Sequence, residues 1–208
     1  AQLDAWADAW EAAAGGFEFQ PVAFDFEPEP ALPPLLKGRR IAVAEDAAFS
    51  FIYPANLDCL RALGAEVLRF APIKGQTLPD CDALWLPGGY PELHAPALKQ
   101  HPTLFKDLAA HLAAGKPLLA ECGGMLCLGE SLTDAEGQLH GMAGLLPGRA
   151  QMQKRLTALG LQAIAWPEGL LRGHTFHYSS WDTALEPIAQ ATNPNAGPGR
   201  KAAAEALY

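Results

Sequence analysis

Between Arg39 and Ala120 short apolar runs alternate with helical patterns, and this alternation limits the fold more than any other feature of the chain. Arg40-Ile41-Ala42-Val43-Ala44, Glu66-Val67-Leu68-Arg69-Phe70, Asp82-Ala83-Leu84-Trp85-Leu86 and Pro117-Leu118-Leu119-Ala120 read as strands. Between them, Pro54 to Gly64 places Leu57, Leu60 and Leu63 on one helical face and stops at a glycine. His101 to Ala114 does the same with Leu104, Phe105, Leu108 and Leu112, closed by Gly115 and Pro117. Strands alternating with helices predict an α/β fold with a mostly parallel sheet covered on both faces. Past Gly144 the pattern thins. Leu161 to Trp166 and Leu171 to Tyr178 read as two further strands, and the Asn/Pro/Gly-rich then Ala-rich tail 190–208 reads as a loop entering a helix.

The segment before the sheet is of another kind. Leu3, Trp6 and Trp10 recur at helical spacing over residues 1–14, and Gly15-Gly16 ends the pattern. Residues 20–38, with Pro21, Pro28, Pro30, Pro33 and Pro34, read as an extended linker. The expected division is therefore 1–38, the tail of an upstream domain with its linker, and 39–208, an α/β domain. The chain has 208 residues, half of them hydrophobic and 18% charged, which is enough to bury a core without staples. A formal net charge of −8 argues against nucleic acid and anionic membranes as partners. No apolar stretch reaches membrane-spanning length, and Asp4, Asp8 and Glu11 break any signal-peptide pattern. Cys59, Cys81, Cys122 and Cys127 form no C-x-x-C, so no metal is expected. Reduced thiols and a cytoplasmic location are the expectation.

Three segments carry chemistry. In Leu118-Leu119-Ala120-Glu121-Cys122-Gly123-Gly124-Met125 a buried strand delivers a cysteine to a tight turn that enters a helix at once. This is the thiol form of the strand–turn–helix elbow that exposes a nucleophile at the top of a sheet. The helix start should favour the Cys122 thiolate, and the Gly123 amide should point where an oxyanion forms. By spacing alone, an inert core cysteine beside a glycine turn explains the segment equally well. In Leu86-Pro87-Gly88-Gly89-Tyr90-Pro91-Glu92-Leu93 a second strand ends in glycines, at the edge where open parallel sheets bind ligands. Gly89 should reject a side chain because its backbone approaches the ligand. The third segment is Arg172-Gly173-His174-Thr175-Phe176-His177-Tyr178-Ser179-Ser180, where His177 is a possible base for Cys122 or a histidine satisfied structurally.

Pro87-Gly88-Gly89-Tyr90-Pro91-Glu92-Leu93, Ala120-Glu121-Cys122-Gly123-Gly124-Met125 and Gly173-His174-Thr175-Phe176-His177-Tyr178-Ser179 closely resemble the glutaminase part of the cobyrinic acid a,c-diamide synthases. The stretch Gly144-Leu145-Leu146-Pro147-Gly148-Arg149 is similar too, and the resemblance runs from about Gly38 to Tyr178. It implies a class I glutamine amidotransferase domain, a flavodoxin-like three-layer sandwich. In that family the domain hydrolyses glutamine and passes ammonia to an upstream ATP-dependent synthetase domain of the same polypeptide, which amidates the a and c acetate side chains of a corrinoid. The resemblance makes Cys122 the nucleophile and lines the oxyanion site with Gly88, Gly89 and Gly123. It implies no cofactor in this chain, with ATP and Mg acting in the synthetase domain.

Two departures qualify the match. No G-x-x-x-x-G-K-[ST] phosphate loop occurs here, so the ATP chemistry is expected elsewhere. None of the six histidines is followed two residues later by Glu, and His177 lies only 177 − 122 = 55 residues past Cys122. The expectation is that the general base lies beyond Tyr208, the domain being cut short at its C-terminus, with His177 as possible support. Other readings are hydrogenobyrinic acid or a nickel tetrapyrrole as acceptor, a cysteine hydrolase or chaperone-like relative on the same sheet, and a non-catalytic interaction domain.

Overall fold

The computed structural model describes residues 2–15, 22–23, 33–194 and 205–208. The chain forms two compact units, Ala1–Leu32 and Pro33–Tyr208. In the first unit, helix α1 (Gln2–Ala14) covers the expected helical stretch. The linker expected over 20–38 falls largely outside the described residues. Its last part, from Pro33, belongs to the second unit, where Leu36 packs on Ile41, Val43 and Trp85.

The second unit opens with the anticipated alternation. Its elements are β1 (Arg40–Ala44), α2 (Pro54–Ala62), β2 (Glu66–Phe70), β3 (Ala83–Leu86), α3 (Pro91–Gln100), α4 (Thr103–Ala113), β4 (Leu118–Ala120) and α5 (Gly123–Leu128). The four strands form one parallel sheet in the order β2-β1-β3-β4. Side chains alternate across it. Ile41, Val43 and Trp85 point to one side, under Leu57 and Leu60 of α2. Ala42, Ala44, Leu84 and Leu86 point to the other, under Leu98 of α3 and Leu104 and Leu108 of α4. The result is three layers, helix–sheet–helices, as the alternation predicts. At about 25 cal/mol per Å² of apolar surface removed from water, these two contact layers supply most of the drive to fold.

The rest of the unit is β-rich: β5 (Ser131–Thr133), β6 (Leu139–Gly141), β7 (Arg149–Met152), β8 (Ala158–Trp166), β9 (Gly169–His177), β10 (Ser179–Asp182), β11 (Ala189–Gln190) and β12 (Ala206–Leu207). A second, mixed sheet runs β10-β7-β5-β6. Strands β8 and β9 form an antiparallel ribbon in register from Ala158↔His177 to Trp166↔Gly169. These are the two late strands expected, paired to each other and outside the parallel sheet. The tail departs from expectation. Glu205 to Tyr208 contains no helix: Ala206–Leu207 pairs antiparallel with Ala189–Gln190. The Ala-rich stretch before it lies outside the described residues. Among the described residues no helix is long and apolar enough to cross a membrane.

Candidate functional site

Strands β1, β3 and β4 of the sheet all run in one direction, so their following loops emerge at one edge. Pro87-Gly88-Gly89 follows β3, Glu121-Cys122 follows β4, and Glu45 to Ile52 follows β1. Asp46 holds the β1 loop, accepting the Ala48 amide at 2.9 Å on one carboxylate oxygen and the Ile73 amide at 2.9 Å on the other. The loop then clasps the β3 turn: the Phe51 amide donates to Gly88 O at 3.0 Å and the Tyr90 amide to Ala48 O at 3.0 Å. Phe51 and Tyr90 cross the clasp edge-to-face, with ring centroids 4.9 Å apart.

Cys122 caps the N-terminus of α5 with φ 47 and ψ −114, the only non-glycine residue at positive φ among those described. Such a conformation costs on the order of 1–3 kcal/mol and persists only where its surroundings fix it. Three contacts do so here. The Glu121 amide donates to Leu86 O at 3.0 Å, the Gly124 amide to Glu121 O at 2.8 Å, and the indole of Trp85 to the Glu121 carboxylate at 2.7 Å. Gly124 is pressed so closely on β3 that a Cβ there would sit 2.7 Å from the Leu86 carbonyl carbon. The strand-to-helix turn is therefore wedged against its neighbouring strand with the thiol held outward; Cys122 is exposed.

The Gly123 and Gly89 amides lie close enough to the Cys122 thiol to favour its thiolate, and Gly88 packs near its Cβ. Cys122, Gly88, Gly89 and Gly123 are thus brought together as the sequence predicts. The ionisation differs from expectation. Although the residue is exposed, the walls around the sulfur remove enough water to push the thiol up from its ordinary value; the two amides pull it down, and the carboxylates of Glu92 and Glu121 push it up again. A six-residue helix start does not outweigh that desolvation. Glu92, in the first turn of α3, is itself held above the ordinary carboxylate range, chiefly by burial. A cavity of about 480 Å³ lined by Glu45, Asp46, Arg61 and Arg69 opens at the same sheet edge, but Cys122 is not in its wall.

His177 is occupied elsewhere. Its Nε2 lies 3.1 Å from the Glu205 carboxylate and its Nδ1 lies 3.0 Å from Ser179 O. The carboxylate accepts, so Nε2 donates to it, while Nδ1 faces both Ser179 O and the Ser179 hydroxyl, 3.5 Å away. The Glu205 hydrogen bond raises its pKa first, against burial, and depresses that of Glu205 in turn. Both nitrogens are engaged by these partners, and no contact joins His177 to Cys122 among the described residues.

Sequence reasoning missed Glu92, the Trp85–Glu121 anchor, the β1 clasp and Glu205. The clasp was within reach once β1 was placed beside β3. Glu205 had no local signal, being 28 residues from its partner. Among the described residues no group of three or more His, Cys, Asp or Glu side chains is arranged to hold a metal ion.

A model of the CobB/CobQ-like glutamine amidotransferase domain matches residues 40–205. Hydrogenobyrinate a,c-diamide synthase of Pseudomonas aeruginosa is 53% identical over 208 residues, covering 100% of this chain and 47% of its own length. Cobyrinate a,c-diamide synthase of Herminiimonas arsenicoxydans is 46% identical over 175 residues, 84% of this chain and 39% of its own. The chain thus spans about half the length, or less, of these relatives. A crystal structure described as a glutamine amidotransferase superposes with a TM-score of 0.52 over 74% of this chain and 84% of that one, at 15% identity, a likeness of fold.

Proposed function

Because the chain belongs to the CobB/CobQ-like glutamine amidotransferase family, we propose that it hydrolyses glutamine through Cys122 and releases ammonia for an amidation. The observation that carries this reading is the Cys122 elbow, with the Gly123 and Gly89 amides converging on its sulfur. The Cys122 thiolate adds to the side-chain carboxamide carbon of glutamine. The carbonyl oxygen takes up the negative charge within reach of the glycine amides. Such donors, fixed beforehand, stabilise developing charge by about 2.7–4 kcal/mol each in known cases. Collapse of the adduct expels ammonia, with a proton delivered to the leaving nitrogen, and leaves a glutamyl thioester on Cys122. Water then hydrolyses the thioester to glutamate and regenerates the thiol.

The proton steps need a base, and in this proposal His177 is not that base, because both its nitrogens are already engaged by Glu205 and Ser179. In this proposal the base is supplied by another segment, which the sequence reading expects past Tyr208. Ammonia goes to the part of the synthase outside this chain, where ATP and Mg activate the a and c carboxylates of a corrinoid. Cobyrinic acid is the acceptor implied by the motifs. Hydrogenobyrinic acid is a second reading, favoured by the names of two relatives that are 53% identical over the whole chain.

The experiment is glutamate release by the full-length synthase with Cys122→Ala. The proposal requires loss of glutamine-dependent amidation with ammonium-dependent amidation retained. Undiminished glutaminase activity in the variant would remove Cys122 from the mechanism.

A further inference from the structure

Over residues 158–162 and 173–177 the β8–β9 ribbon is apolar on the side it shows to solvent and polar on the side it covers. Directly opposed residues share a face, so Leu159, Leu161, His174 and Phe176 lie together, and Ala158, Gln162, Thr175 and His177 lie together on the reverse. On the reverse, Gln162 and Thr175 are buried, and His177 and Thr175 bond Glu205. On the outer face Leu159 is 66%, Leu161 48% and Phe176 50% exposed, and the edge of Phe176 meets Tyr178. A strand that packs only on its covered side puts its leucines inward and its polar groups outward. This end of the ribbon does the opposite, which marks its outer face as one that is itself covered; nearer the hairpin turn Leu171 and Trp166 are exposed on the reverse face and the inversion stops.

The patch is continuous with the candidate site. His174 stacks edge-on against Tyr53, with centroids 6.3 Å apart, and Tyr53 is two residues from Phe51, which pairs with Gly88 beside Cys122. Whatever covers the ribbon therefore borders the loops around the thiol. The chain is matched over its full length by a relative of which it makes up 47%, so more than half of that relative lies outside it.

We infer that the outer face of the β8–β9 ribbon, centred on Leu161 and Phe176 and continued by Tyr53, is the surface on which the amidating part of the synthase docks. This rests on the proposed function, since it takes that part to be the consumer of ammonia made at Cys122. An apolar seal there keeps water from the path that ammonia takes, and the ribbon, marginal as a two-stranded element, is made rigid by being covered.

The first test needs no variant. Hydrogen exchange is compared between the 208-residue chain and the full-length synthase. Amides of residues 159–161 and 174–178 should slow by about tenfold or more in the full-length protein; equal exchange overturns the inference. In the full-length synthase, Leu161→Asp with Phe176→Asp should lower glutamine-dependent amidation by about tenfold. Ammonium-dependent amidation and alkylation of Cys122 should stay unchanged, which shows that both parts remain folded. Should the Asp pair unfold the ribbon, Leu161→Ser with Phe176→Ser replaces it under the same criteria. Undiminished glutamine-dependent amidation in a folded variant overturns the inference. So does sedimentation of the 208-residue chain as a dimer that Phe176→Asp dissociates, because a second copy would then be the occupant. If the wild-type synthase amidates with neither glutamine nor ammonium, the proposed function fails, while the exchange comparison still decides the docking.

Discussion

Gly89→Ala should damage the fold before it damages the chemistry. From the sequence, the reason to keep glycine at this position is the approach of its backbone to a ligand. The structure gives another reason. A Cβ on Gly89 would sit 2.8 Å from the Ala48 carbonyl carbon and 2.9 Å from Phe49 Cα, both backbone atoms of the β1 loop. Neither can swing aside, because Phe49 is fully buried and the Ala48 carbonyl accepts the Tyr90 amide. Overpacking of this kind costs about 1–3 kcal/mol, and the displaced hydrogen bond adds about 1 kcal/mol. A loss of roughly 2–4 kcal/mol in a domain of this size lowers Tm by about 4–16 °C. Gly88→Ala is the control. Its Cβ would meet Phe51 Cδ2 and Cys122 Cβ at 3.3 Å, and a ring edge can yield, so its cost should stay below about 1 kcal/mol. Thermal melts of both variants decide the matter, with alkylation of Cys122 reporting on the site. Gly89→Ala melting within about 1 °C of wild type would refute the clasp as a structural constraint.

Further outcomes follow from the same geometry. Cys122→Gly should melt about 2–4 °C above Cys122→Ala, since glycine relieves a positive φ worth on the order of 1 kcal/mol that alanine keeps; equal melting temperatures would show that the turn is unstrained. Alkylation of Cys122 in the 208-residue chain should still be accelerating as the pH passes 9.0, the ordinary thiol value, because burial and two carboxylates raise it, and a rate that levels off near neutrality would contradict this. Among the other thiols only Cys59 is exposed, so a diazo-ketone glutamine analogue, which needs the amide-lined site, should label Cys122 ahead of Cys59 and leave Cys81 and Cys127 untouched; mass spectrometry reads the order. His177 is raised, so its contribution to stability is complete below 6.5 and fades as pH climbs through the higher folded value; Glu205 is lowered, so its contribution is complete above 4.5 and fades as pH drops through the lower folded value. The stability gap between wild type and His177→Gln, from urea melts, should therefore be widest between pH 4.5 and 6.5 and narrow on either side.

The parallel sheet was legible because its strands are buried on both faces, which writes them as continuous apolar runs such as Ile41-Ala42-Val43-Ala44. Helix α3 was hidden by its own prolines. Pro91 stands at the first helical position, where no amide bond is lost, but Pro96 inside the helix erases the usual signature. The mixed sheet was missed for a different reason. Its strands are three or four residues long, too short for a period to show, and its pairings link residues as far apart as Arg149 and Asp182. The tail misled because alanine favours helix locally, whereas Ala206–Leu207 is held extended by pairing with β11.

The candidate site divides along the same line between local and distant causes. The elbow at Cys122 was legible because its signature lies in eight consecutive residues, a strand, a cysteine and the glycines that let the turn press on β3, even though Trp85 and Leu86 that hold it come from β3 itself. The ionisation of the same thiol was not, because it is set by a desolvating wall and by Glu92, thirty residues upstream. A search for a carboxylate two residues after a histidine was bound to fail at His177, since its carboxylate arrives just ahead of β12 from 28 residues away. That distant partner decides the role of the ring. A triad histidine keeps one nitrogen free for the nucleophile while a carboxylate holds the other. At His177 the free position is taken by Ser179 O, so the same imidazole–carboxylate pair that orients a base elsewhere here fastens β12 to the ribbon. Two features that look alike in sequence, a histidine strand and a waiting cysteine, are thus separated by one hydrogen bond, because the ring that could have served Cys122 is committed to Ser179 as well as to Glu205.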